Sequence, residues 1–460
     1  MTILDNIAAI VTAIGAAGVG IIRISGPEAI QIAAKIYKGK NDLNTVASHR
    51  IIYGHVYDYK NNKTIDEALF LIMKEPSSFT GENVVEIQCH GGIVPVKQVL
   101  DLVLRNGARL AEPGEFSKRA FLNGKLDLAQ AEAIMDIVNA KTDKSLESAV
   151  NQLQGNLSSY IKDFRDELLE LIAYIEADID FPEDDIERLS PEEQEKRITD
   201  LIKKISEIID TQKRGKIIRE GLNLVIVGKP NVGKSSLLNA LIRENKAIVT
   251  DIPGTTRDVI EDFINLNGIP IKVIDTAGIR ETADVVEKIG VEKSKEYIKK
   301  ADLVLFILDM ASGITDEDRI ILNNLEESKT IIVINKIDLE NNLENLDEIK
   351  KQINDKPLLK ISVKENIGLK ELEDYIIEMF FQGKIDISNE IIITNARHLR
   401  ALELASDHLV GAYNTIHERL PGDFIVIDLR SAWEYLGEIT GETLEEDIID
   451  KIFSQFCLGK

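Results

Sequence analysis

The sequence contains little cysteine and little positive charge. Two cysteines among 460 residues cannot build a disulfide framework or, by themselves, a cysteine-rich zinc site, and so low a count is typical of a reducing cytosol. Lysine and arginine number 55 against 78 acidic residues, which gives a formal net charge of −23. Because an acidic surface repels phosphate backbones, binding to nucleic acid would require a local basic patch or a basic partner protein.

An apolar stretch near the N-terminus, from Ile7 to Ile22, is too short for a membrane-spanning helix, which needs about 20 residues. No lysine or arginine precedes it, although a signal segment would carry positive charge there. Its glycines indicate a loop between two strands, the second of them over Val19–Ile24. We therefore expect a buried strand pair rather than a signal segment.

The hydrophobic pattern changes along the chain, and 460 residues are too many for one core. Residues 1–120 mix strand-like and helical runs and predict an α+β domain. Residues 121–215 and 384–460 predict helices, whereas residues 216–383 alternate strand and helix patterns, as in a parallel sheet covered by helices. Since about 75 helical residues make a poor core alone, we expect the two helical segments to pack together around an inserted α/β domain.

These patterns also predict individual elements. One apolar helical stripe comprises Leu128, Ala131, Met135 and Val138, and a later helix is broken at Pro182 inside an acidic turn that lacks the central glycine of a calcium loop. The expected helices include Val94–Arg105 and Ser236–Ile242. The expected strands are Ile21–Ile24, Ala68–Met73, Val84–Gln88, Leu222–Val227, Ile271–Ile274, Leu303–Leu308, Ile331–Ile334 and Leu358–Ile361.

The strongest motif is a phosphate-binding loop, Gly228–Ser235, which matches G-x-x-x-x-G-K-[ST] between a predicted strand and a predicted helix. Its glycines let main-chain N–H groups surround phosphates at a helix N-terminus, which favours anions. We expect Lys234 to reach the β- and γ-phosphates and Ser235 to bind Mg²⁺. The motif therefore predicts a binding site for a nucleoside triphosphate.

A second motif selects the base. Asn335-Lys-Ile-Asp338 follows a predicted strand, and a carboxylate there can accept hydrogen bonds from N1–H and the amino group of guanine. A buried Asp338 would lose its partners with adenine, so we expect GTP rather than ATP. We expect the loop Ser362-Val-Lys364 to line the base.

Two further segments lie between these motifs. Asp275-Thr-Ala-Gly278 predicts a metal contact through water and an N–H donor to the γ-phosphate, and Thr256 in the segment Thr250–Asp258 is a candidate Mg²⁺ ligand that senses the γ-phosphate. The position where Ras-like enzymes carry a water-orienting glutamine is Ile279, so hydrolysis must use another group. Arg257 and Arg280 are candidates for arginine fingers or surface ion pairs, and Asn231 for a monovalent cation ligand or a turn former.

Four segments beyond these motifs resemble the MnmE (TrmE) family of tRNA modification GTPases, and the likeness spans the whole chain. They are Gly18–Gly26, Ser78–Glu86, Pro113–Asp127 and Phe456–Lys460, the last with Leu458 where family members often carry isoleucine. The resemblance implies an N-terminal α+β domain that dimerises and binds formyl-tetrahydrofolate, a discontinuous helical domain and an inserted Ras-like P-loop G domain. It assigns the folate to Arg23, Glu86, Lys125 and Lys460; without it, Arg23 and Lys125 would be read as surface charges.

The resemblance also implies that K⁺ supports hydrolysis within a transient dimer of G domains. This would supply the catalytic group that the apolar Ile279 cannot provide. It assigns the orientation of the attacking water to Glu287. Cys457 resembles a family cysteine proposed to act in the modification chemistry, but an exposed thiol in the C-terminal tail explains it equally well. The K⁺ ligands that the resemblance implies are Asn231, Thr250, Ile252 and Thr255. The residues expected to contact GTP are Asn231, Val232, Gly233, Lys234, Ser235, Ser236, Thr250, Asp251, Ile252, Pro253, Gly254, Thr255, Thr256, Asp275, Thr276, Ala277, Gly278, Asn335, Lys336, Asp338 and Ser362.

The implied activity is modification of C5 of the tRNA wobble uridine in the cytoplasm. It requires the FAD-dependent partner MnmG (GidA) in a heterotetramer, and a basic partner would suit the acidic charge of this chain. The alternative is a ribosome-assembly or RNA-binding GTPase switch. That alternative predicts a basic RNA-binding module beside the G domain, and none is visible after residue 380.

Overall fold

The computed structural model describes residues 5–181, 189–244, 263–274, 297–325, 328–339, 343–353, 355–381 and 390–460. In this part of the chain, no helix is both long and apolar enough to cross a membrane. The molecule combines an N-terminal sheet with helices, a helical bundle and a central sheet. The predicted multidomain α/β and all-α fold class is confirmed.

The N-terminal unit is a seven-stranded sheet in the order β3-β4-β5-β6-β2-β1-β7. Apolar residues that alternate along its strands, such as Ile22, Phe70 and Ile87, are fully buried in one core with residues of two helices. The pairing of β1 with β2 is antiparallel, which confirms the expected strand pair. The elements are β1 Ile7–Ile10, β2 Val19–Ser25, α1 Ala29–Ile36, β3 Tyr37–Lys38, a 3₁₀ turn Leu43–Thr45, β4 Arg50–Asp58, β5 Lys63–Met73, β6 Val84–His90, α2 Ile93–Arg105 and β7 Arg109–Leu110.

Helices follow this sheet. Asp127 and Gln130 form a reciprocal capping box at the start of one of them, and Ser190 caps another that has Pro191 in its first turn. Val138 is 47% exposed, so the predicted apolar stripe was wrong at its end, where the helix reaches its last turn. The helices are α3 Glu115–Leu122, α4 Leu128–Asn139, α5 Asp143–Leu153, α6 Asn156–Asp180, α7 Pro191–Ile209 and α8 Gln212–Glu220.

The central sheet has the order β13-β12-β11-β8-β10-β9, and only the edge strand β9 is antiparallel to its neighbour. Both faces carry buried apolar residues, as in a sheet covered by helices. The five strands expected here are present. The elements are β8 Leu222–Val227, α9 Lys234–Glu244, β9 Phe263–Leu266, β10 Ile269–Ile274, β11 Leu303–Asp309, α10 Asp316–Asn323, β12 Thr330–Asn335, α11 Leu343–Gln352, β13 Leu358–Lys360 and α12 Leu369–Phe381.

The last helices, α13 Ala396–His417, α14 Gly422–Thr440 and α15 Glu446–Phe453, return to the earlier bundle. Residues of α6 and α7 share one core with residues of α13 and α14, so the expected packing of the two helical segments is confirmed. The segment that leads into the central sheet contacts the segment that leads out of it, because Ile393 N donates to Thr211 Oγ1 at 3.0 Å. The predicted domain limits stay predictions, and the limit between residues 215 and 216 falls inside α8.

A buried ionic cluster joins the two helical segments. Glu132 on α4 lies 2.7 Å from Arg397 Nη2 and 2.8 Å from His398 Nε2, both at the start of α13. Burial raises the pKa of Glu132, but the attraction and hydrogen bonds of His398 and Arg397 outweigh it and hold the pKa at about 2. The paired carboxylate therefore fastens α4 to α13.

Candidate functional site

The phosphate-binding loop leaves β8 and enters α9 through backbone conformations that favour glycine. Gly228 and Gly233 have φ of 149° and 104°, and Asn231 has φ of 63°. A methyl group on Gly233 would lie 2.2 Å from Asn335 Nδ2, and one on Gly228 would lie 2.6 Å from the carbonyl oxygen of Ile307. The loop therefore needs both glycines, for its turn and for its close packing on the sheet.

The lysine of this loop is held inside it. Lys234 Nζ donates to the carbonyl oxygens of Gly228 at 2.6 Å and Lys229 at 2.8 Å. Ser235 and Ser236 are exposed in the first turn of α9, where unpaired main-chain N–H groups favour an anion. The cationic head therefore lies within the loop that the sequence assigned to phosphates, where it donates to two neutral carbonyl oxygens.

The base-selecting motif is fastened to this loop. Asn335 is 3% exposed; its Nδ2 donates to the carbonyl oxygen of Val232 at 2.9 Å, and its Oδ1 accepts from Val363 N at 3.3 Å. Lys336 Nζ donates to the carbonyl oxygen of Asn231 and to Asp309 Oδ2, each at 2.8 Å. These contacts join the loops that follow β8, β11, β12 and β13 at one edge of the sheet.

The carboxylate expected to read the base lies at the same edge. Asp338 Oδ1 accepts a hydrogen bond from Ser362 Oγ at 2.6 Å, and this bond lowers the pKa of Asp338. The expectation that Asp338 is buried was wrong, because β12 ends at Asn335 and Asp338 stands exposed on the loop beyond the sheet. Only a base laid over Asp338 would remove it from water, so discrimination against adenine would arise on binding.

One cleft of about 970 Å³ connects the phosphate loop with these groups. Its size suits a nucleotide, and its charged lining residues are Lys234, Arg243, Lys336, Asp338 and Lys364. Its lining residues are Asn231, Gly233, Lys234, Ser235, Ser236, Asn239, Ala240, Arg243, Asn335, Lys336, Asp338, Leu339, Val363, Lys364 and Asn366.

The two segments between the phosphate loop and the base motif lie outside the described residues. They contain the predicted positions Thr250, Asp251, Ile252, Pro253, Gly254, Thr255, Thr256, Arg257, Asp275, Thr276, Ala277, Gly278, Ile279, Arg280 and Glu287. Among the described candidates for metal binding, Ser235 and Asn231 lie at the two ends of the phosphate loop tip and are exposed.

A second group of candidates lies on the N-terminal sheet. Arg23 and Glu86 are direct neighbours across β2 and β6, and Arg23 Nε and Nη2 lie 2.9 Å and 2.8 Å from the same oxygen, Glu86 Oε1. The Arg23 guanidinium also lies 5.1 Å from the Phe79 ring centroid and 5.5 Å from that of Phe116. With side chains 17% and 14% exposed, the pair is not the surface charge that residue type alone suggested.

The other candidates approach this pair from two sides. Lys125 is exposed, and its Nζ donates to the carbonyl oxygen of Pro76 at 3.2 Å, in the segment that carries Phe79. The exposed Cys457 accepts at its carbonyl oxygen from Gly114 N at 3.3 Å. A methyl group on Gly459 would lie 2.6 Å from the carbonyl oxygen of Ile10, so the tail ending at Lys460 packs against β1, the neighbour of β2.

Three aromatic or charged side chains in this region were not identified from the sequence. Phe79 and Phe116 belong to the quoted motifs, which was the available signal, but no role was assigned to them. Arg119 is fully buried and contacts Asp5, Glu82 and Glu115 at 2.7, 3.2 and 2.9 Å. It stabilises the segments that hold the two phenylalanines, and a single arginine in a helix gives no sequence signal of burial.

The comparisons with known proteins agree with this geometry. The model of the MnmE helical domain matches residues 128–457, and that of the GTP-binding protein TrmE N-terminus matches residues 6–125. The tRNA modification GTPase MnmE of Alkaliphilus oremlandii is 52% identical over 462 residues, with 100% of both chains covered. That of Desulforamulus reducens is 53% identical over 462 residues, with 99% of both covered.

Solved structures match a smaller part of the chain. Aquifex aeolicus Era bound to GDP and aluminium fluoride is 33% identical, with 40% of this chain and 66% of that chain covered and a TM-score of 0.29. The FeoB G domain of Methanococcus jannaschii is 27% identical, with 34% and 94% covered and a TM-score of 0.26. TM-scores this low support no argument. The full-length identity to curated relatives does: this chain is a GTP hydrolase and belongs to the family of the tRNA modification GTPases called MnmE.

Proposed function

We propose that this chain is a potassium-stimulated GTPase that acts with the FAD-dependent protein MnmG in the cytoplasm. Together they add an aminomethyl or carboxymethylaminomethyl group at C5 of the tRNA wobble uridine, with a formyl-tetrahydrofolate as the one-carbon donor. The observation that carries the proposal is the joining of the phosphate loop, through Asn335, to the loop that supports Asp338. It occurs in a chain 52% identical to a tRNA modification GTPase over its full length.

The triphosphate lies over Gly228–Ser235. On binding, Lys234 exchanges the neutral carbonyl oxygens of its own loop for charged phosphate oxygens, which are stronger acceptors. The exposed hydroxyl of Ser235 in the first turn of α9 fits an Mg²⁺ ligand, with Thr256 as the second. A bound Mg²⁺ supplies charge between the phosphates that eases their separation.

The potassium assignment depends on Asn231. Its left-handed backbone at φ 63° turns the tip of the phosphate loop, and the residue is exposed there, so an amide oxygen fits a monovalent cation beside the phosphates. A bound K⁺ supplies the positive charge that an arginine finger gives in other GTPases. Thr250, Ile252 and Thr255 complete the proposed ligand set. Glu287 orients the attacking water.

The folate assignment depends on Arg23 and Glu86. Their salt bridge uses one carboxylate oxygen, and within the described residues Glu86 Oε2 and Arg23 Nη1 have no hydrogen-bond partner. A pterin can donate N–H groups to the first, and a carboxylate can accept from the second. Lys125 and Lys460 supply further cations for a glutamate tail. Cys457, exposed in the same C-terminal tail as Lys460, is the proposed participant in the modification chemistry.

The proposed homodimer has a suitable surface on the same sheet. Tyr53 and Leu69 are direct neighbours across β4 and β5, and with Ile51 they are 58%, 38% and 57% exposed on the face turned away from α1 and α2. Apolar side chains grouped on an open sheet face favour burial by another protein surface. A second copy of the chain would cover this face. MnmG would complete the heterotetramer and carry much of the contact with tRNA, since this chain has a net charge of −23.

The test of the modification role is nucleoside analysis of tRNA from cells that lack the protein. We expect the C5 substituent of wobble uridine to disappear and to return with the wild-type chain but not with the Lys234→Ala variant. Unchanged wobble uridines in the deleted cells would refute the modification role and leave the GTPase assignment intact. Equal GTP turnover in KCl and NaCl at one ionic strength would refute the potassium assignment alone.

A further inference from the structure

A second cleft lies at the edge of the central sheet opposite the nucleotide. Its residues Gly221, Asp302 and Lys329 immediately precede β8, β11 and β12, whereas the nucleotide residues follow the ends of these strands. The cleft has a volume of about 750 Å³ and is bounded on one side by α8 and on another by Phe380 of α12. It is therefore separate from the GTP site and from the N-terminal sheet.

Four lysines line this cleft in an otherwise acidic chain. Lys213 and Lys216 lie one turn apart on α8, Lys299 lies in the helical residues before β11, and Lys329 precedes β12; all four are exposed. In the described part of the chain, none of the four makes an ion pair. Asp302, the one carboxylate among the described lining residues, already accepts two hydrogen bonds at 2.9 Å from Asn223.

The other residues that line the cleft can form hydrogen bonds and stacking contacts with a nucleic acid. Gln212 and Asn323 offer amide groups that can donate to phosphate oxygens or ribose hydroxyls. Phe380 is half-buried, and Lys329 Nζ lies 4.6 Å from its ring centroid, so an aromatic face stands beside a cation. Stacking on an aromatic ring and ion pairing with phosphates are the usual elements of sequence-tolerant RNA binding.

We propose that this lysine cleft, formed by Lys213, Lys216, Lys299 and Lys329, binds the phosphate backbone of RNA. The proposal rests on the proposed function for the identity of the RNA, a tRNA, and locates a contact on this chain that is independent of its basic partner. Four lysines that make no ion pair with the described residues, beside side-chain amides and an aromatic ring, favour a nucleic acid over an acidic peptide, which has no use for the ring. A local basic patch of this kind is one of the two ways in which a chain of net charge −23 could bind nucleic acid.

The test is the binding of a fluorescently labelled tRNA transcript to the full chain, followed by anisotropy over a series of KCl concentrations. The variant carries Lys213→Gln, Lys216→Gln and Lys299→Gln together. The matched control carries Lys162→Gln, Lys196→Gln and Lys370→Gln, which are exposed lysines elsewhere with the same loss of charge. GTP turnover of each protein, which neither set should change, verifies folding.

We expect the cleft variant to bind tRNA at least tenfold more weakly. The slope of log affinity against log salt concentration should decrease by about 2 to 3, since each phosphate contact contributes about 0.7 to 0.9. The control should bind as the wild type does. Equal loss in both variants, no loss in either, or displacement of the transcript by polyglutamate at equal charge concentration would overturn the proposal, the last in favour of an acidic protein partner.

This experiment is separable from the test of the modification role. If cells lacking the protein keep their modified uridines while the transcript binds through the cleft, the proposed function fails and the RNA site stands. If the uridines lose their substituent while the cleft variant binds the transcript as tightly as the wild type, the cleft proposal alone fails.

Discussion

The nucleotide site and the N-terminal site are built in different ways. The first is mainly backbone: a glycine-turned loop, a helix N-terminus and carbonyl oxygens held by Asn335 and Lys336. The second is mainly side chains, with Arg23, Glu86 and two phenylalanine rings brought together from three separate segments. A site built from backbone should depend on a few special positions, whereas a site built from paired side chains should lose its ligand when one partner is removed.

The largest expected effect is that of Lys234→Ala. Loss of the charged hydrogen bonds to phosphate should weaken GTP binding about 100-fold, because such bonds contribute about 1.5–3 kcal/mol each. Binding of 5-formyl-tetrahydrofolate should not change. Calorimetry with each ligand measures both effects, and Lys370→Ala, an exposed lysine in the same sheet unit, is the control. Wild-type GTP affinity in Lys234→Ala would contradict the placement of the phosphates.

The reciprocal experiment uses Arg23→Gln. This change removes a ligand donor and leaves Glu86 without its partner, so binding of 5-formyl-tetrahydrofolate should weaken at least about tenfold. GTP turnover should stay as in the wild type. Arg50→Gln, an exposed arginine on β4 of the same sheet, should bind folate normally. Undiminished folate binding by Arg23→Gln would remove this pair from the proposed site.

Gly233→Ala, compared with Gly124→Ala, tests how much the backbone conformation and close packing of the phosphate loop contribute to stability. At φ 104° and with its new methyl group 2.2 Å from Asn335 Nδ2, alanine should strain the loop and destabilise the protein by about 1–3 kcal/mol. Gly124→Ala has a positive φ of 66° but no atom within 4 Å, so it should cost about 1 kcal/mol or less. Chemical denaturation measures both free energies. A smaller cost at Gly233 than at Gly124 would show that the crowding at Asn335 is absent.

The smallest expected effect is that of Ser362→Ala. The hydrogen bond from Ser362 keeps the pKa of Asp338 below its ordinary value, so its loss raises this pKa and the carboxylate is neutralised at a higher pH during acidification. GDP affinity should fall about two- to threefold at neutral pH and weaken further at a higher pH than in the wild type. Binding titrations between neutral and acidic pH measure this, with Ser206→Ala as control. Superimposable pH profiles would mean that Ser362 does not tune Asp338.

The same contrast explains which features could be predicted from sequence. Five strands of the central sheet and the nucleotide motifs were readable because each is a contiguous run whose period or spacing reports its structure. The edge strand β9 was missed, although Asn267-Gly268, with φ of 49° and 92°, is a strong hairpin signal between β9 and β10. Asp338 was wrongly expected to be buried because exposure depends on how far its loop extends beyond the sheet.

Sites assembled from distant residues could not be predicted from the pattern alone. Residues 23 and 86 become neighbours only through the register of β2 with β6, and the four lysines of the lysine cleft lie in three separate segments. The resemblance to a family identified Arg23 and Glu86 as site residues, whereas no feature of the sequence identified the lysine cleft. Hydrophobic period reports which face of an element is buried, but it does not report which elements meet.

The shared core of the helical segments has a consequence for biosynthesis. The apolar residues of α6 and α7 share one core with those of α13 and α14, and about 180 residues, most of them in the central sheet and its helices, are made between α7 and α13. At ~5–20 residues per second, ribosomes leave α6 and α7 without α13 and α14 for roughly 10–40 s. During that interval the nascent chain exposes the apolar faces of two helices, so its yield should depend on chaperones that hold apolar helices until translation passes Thr440.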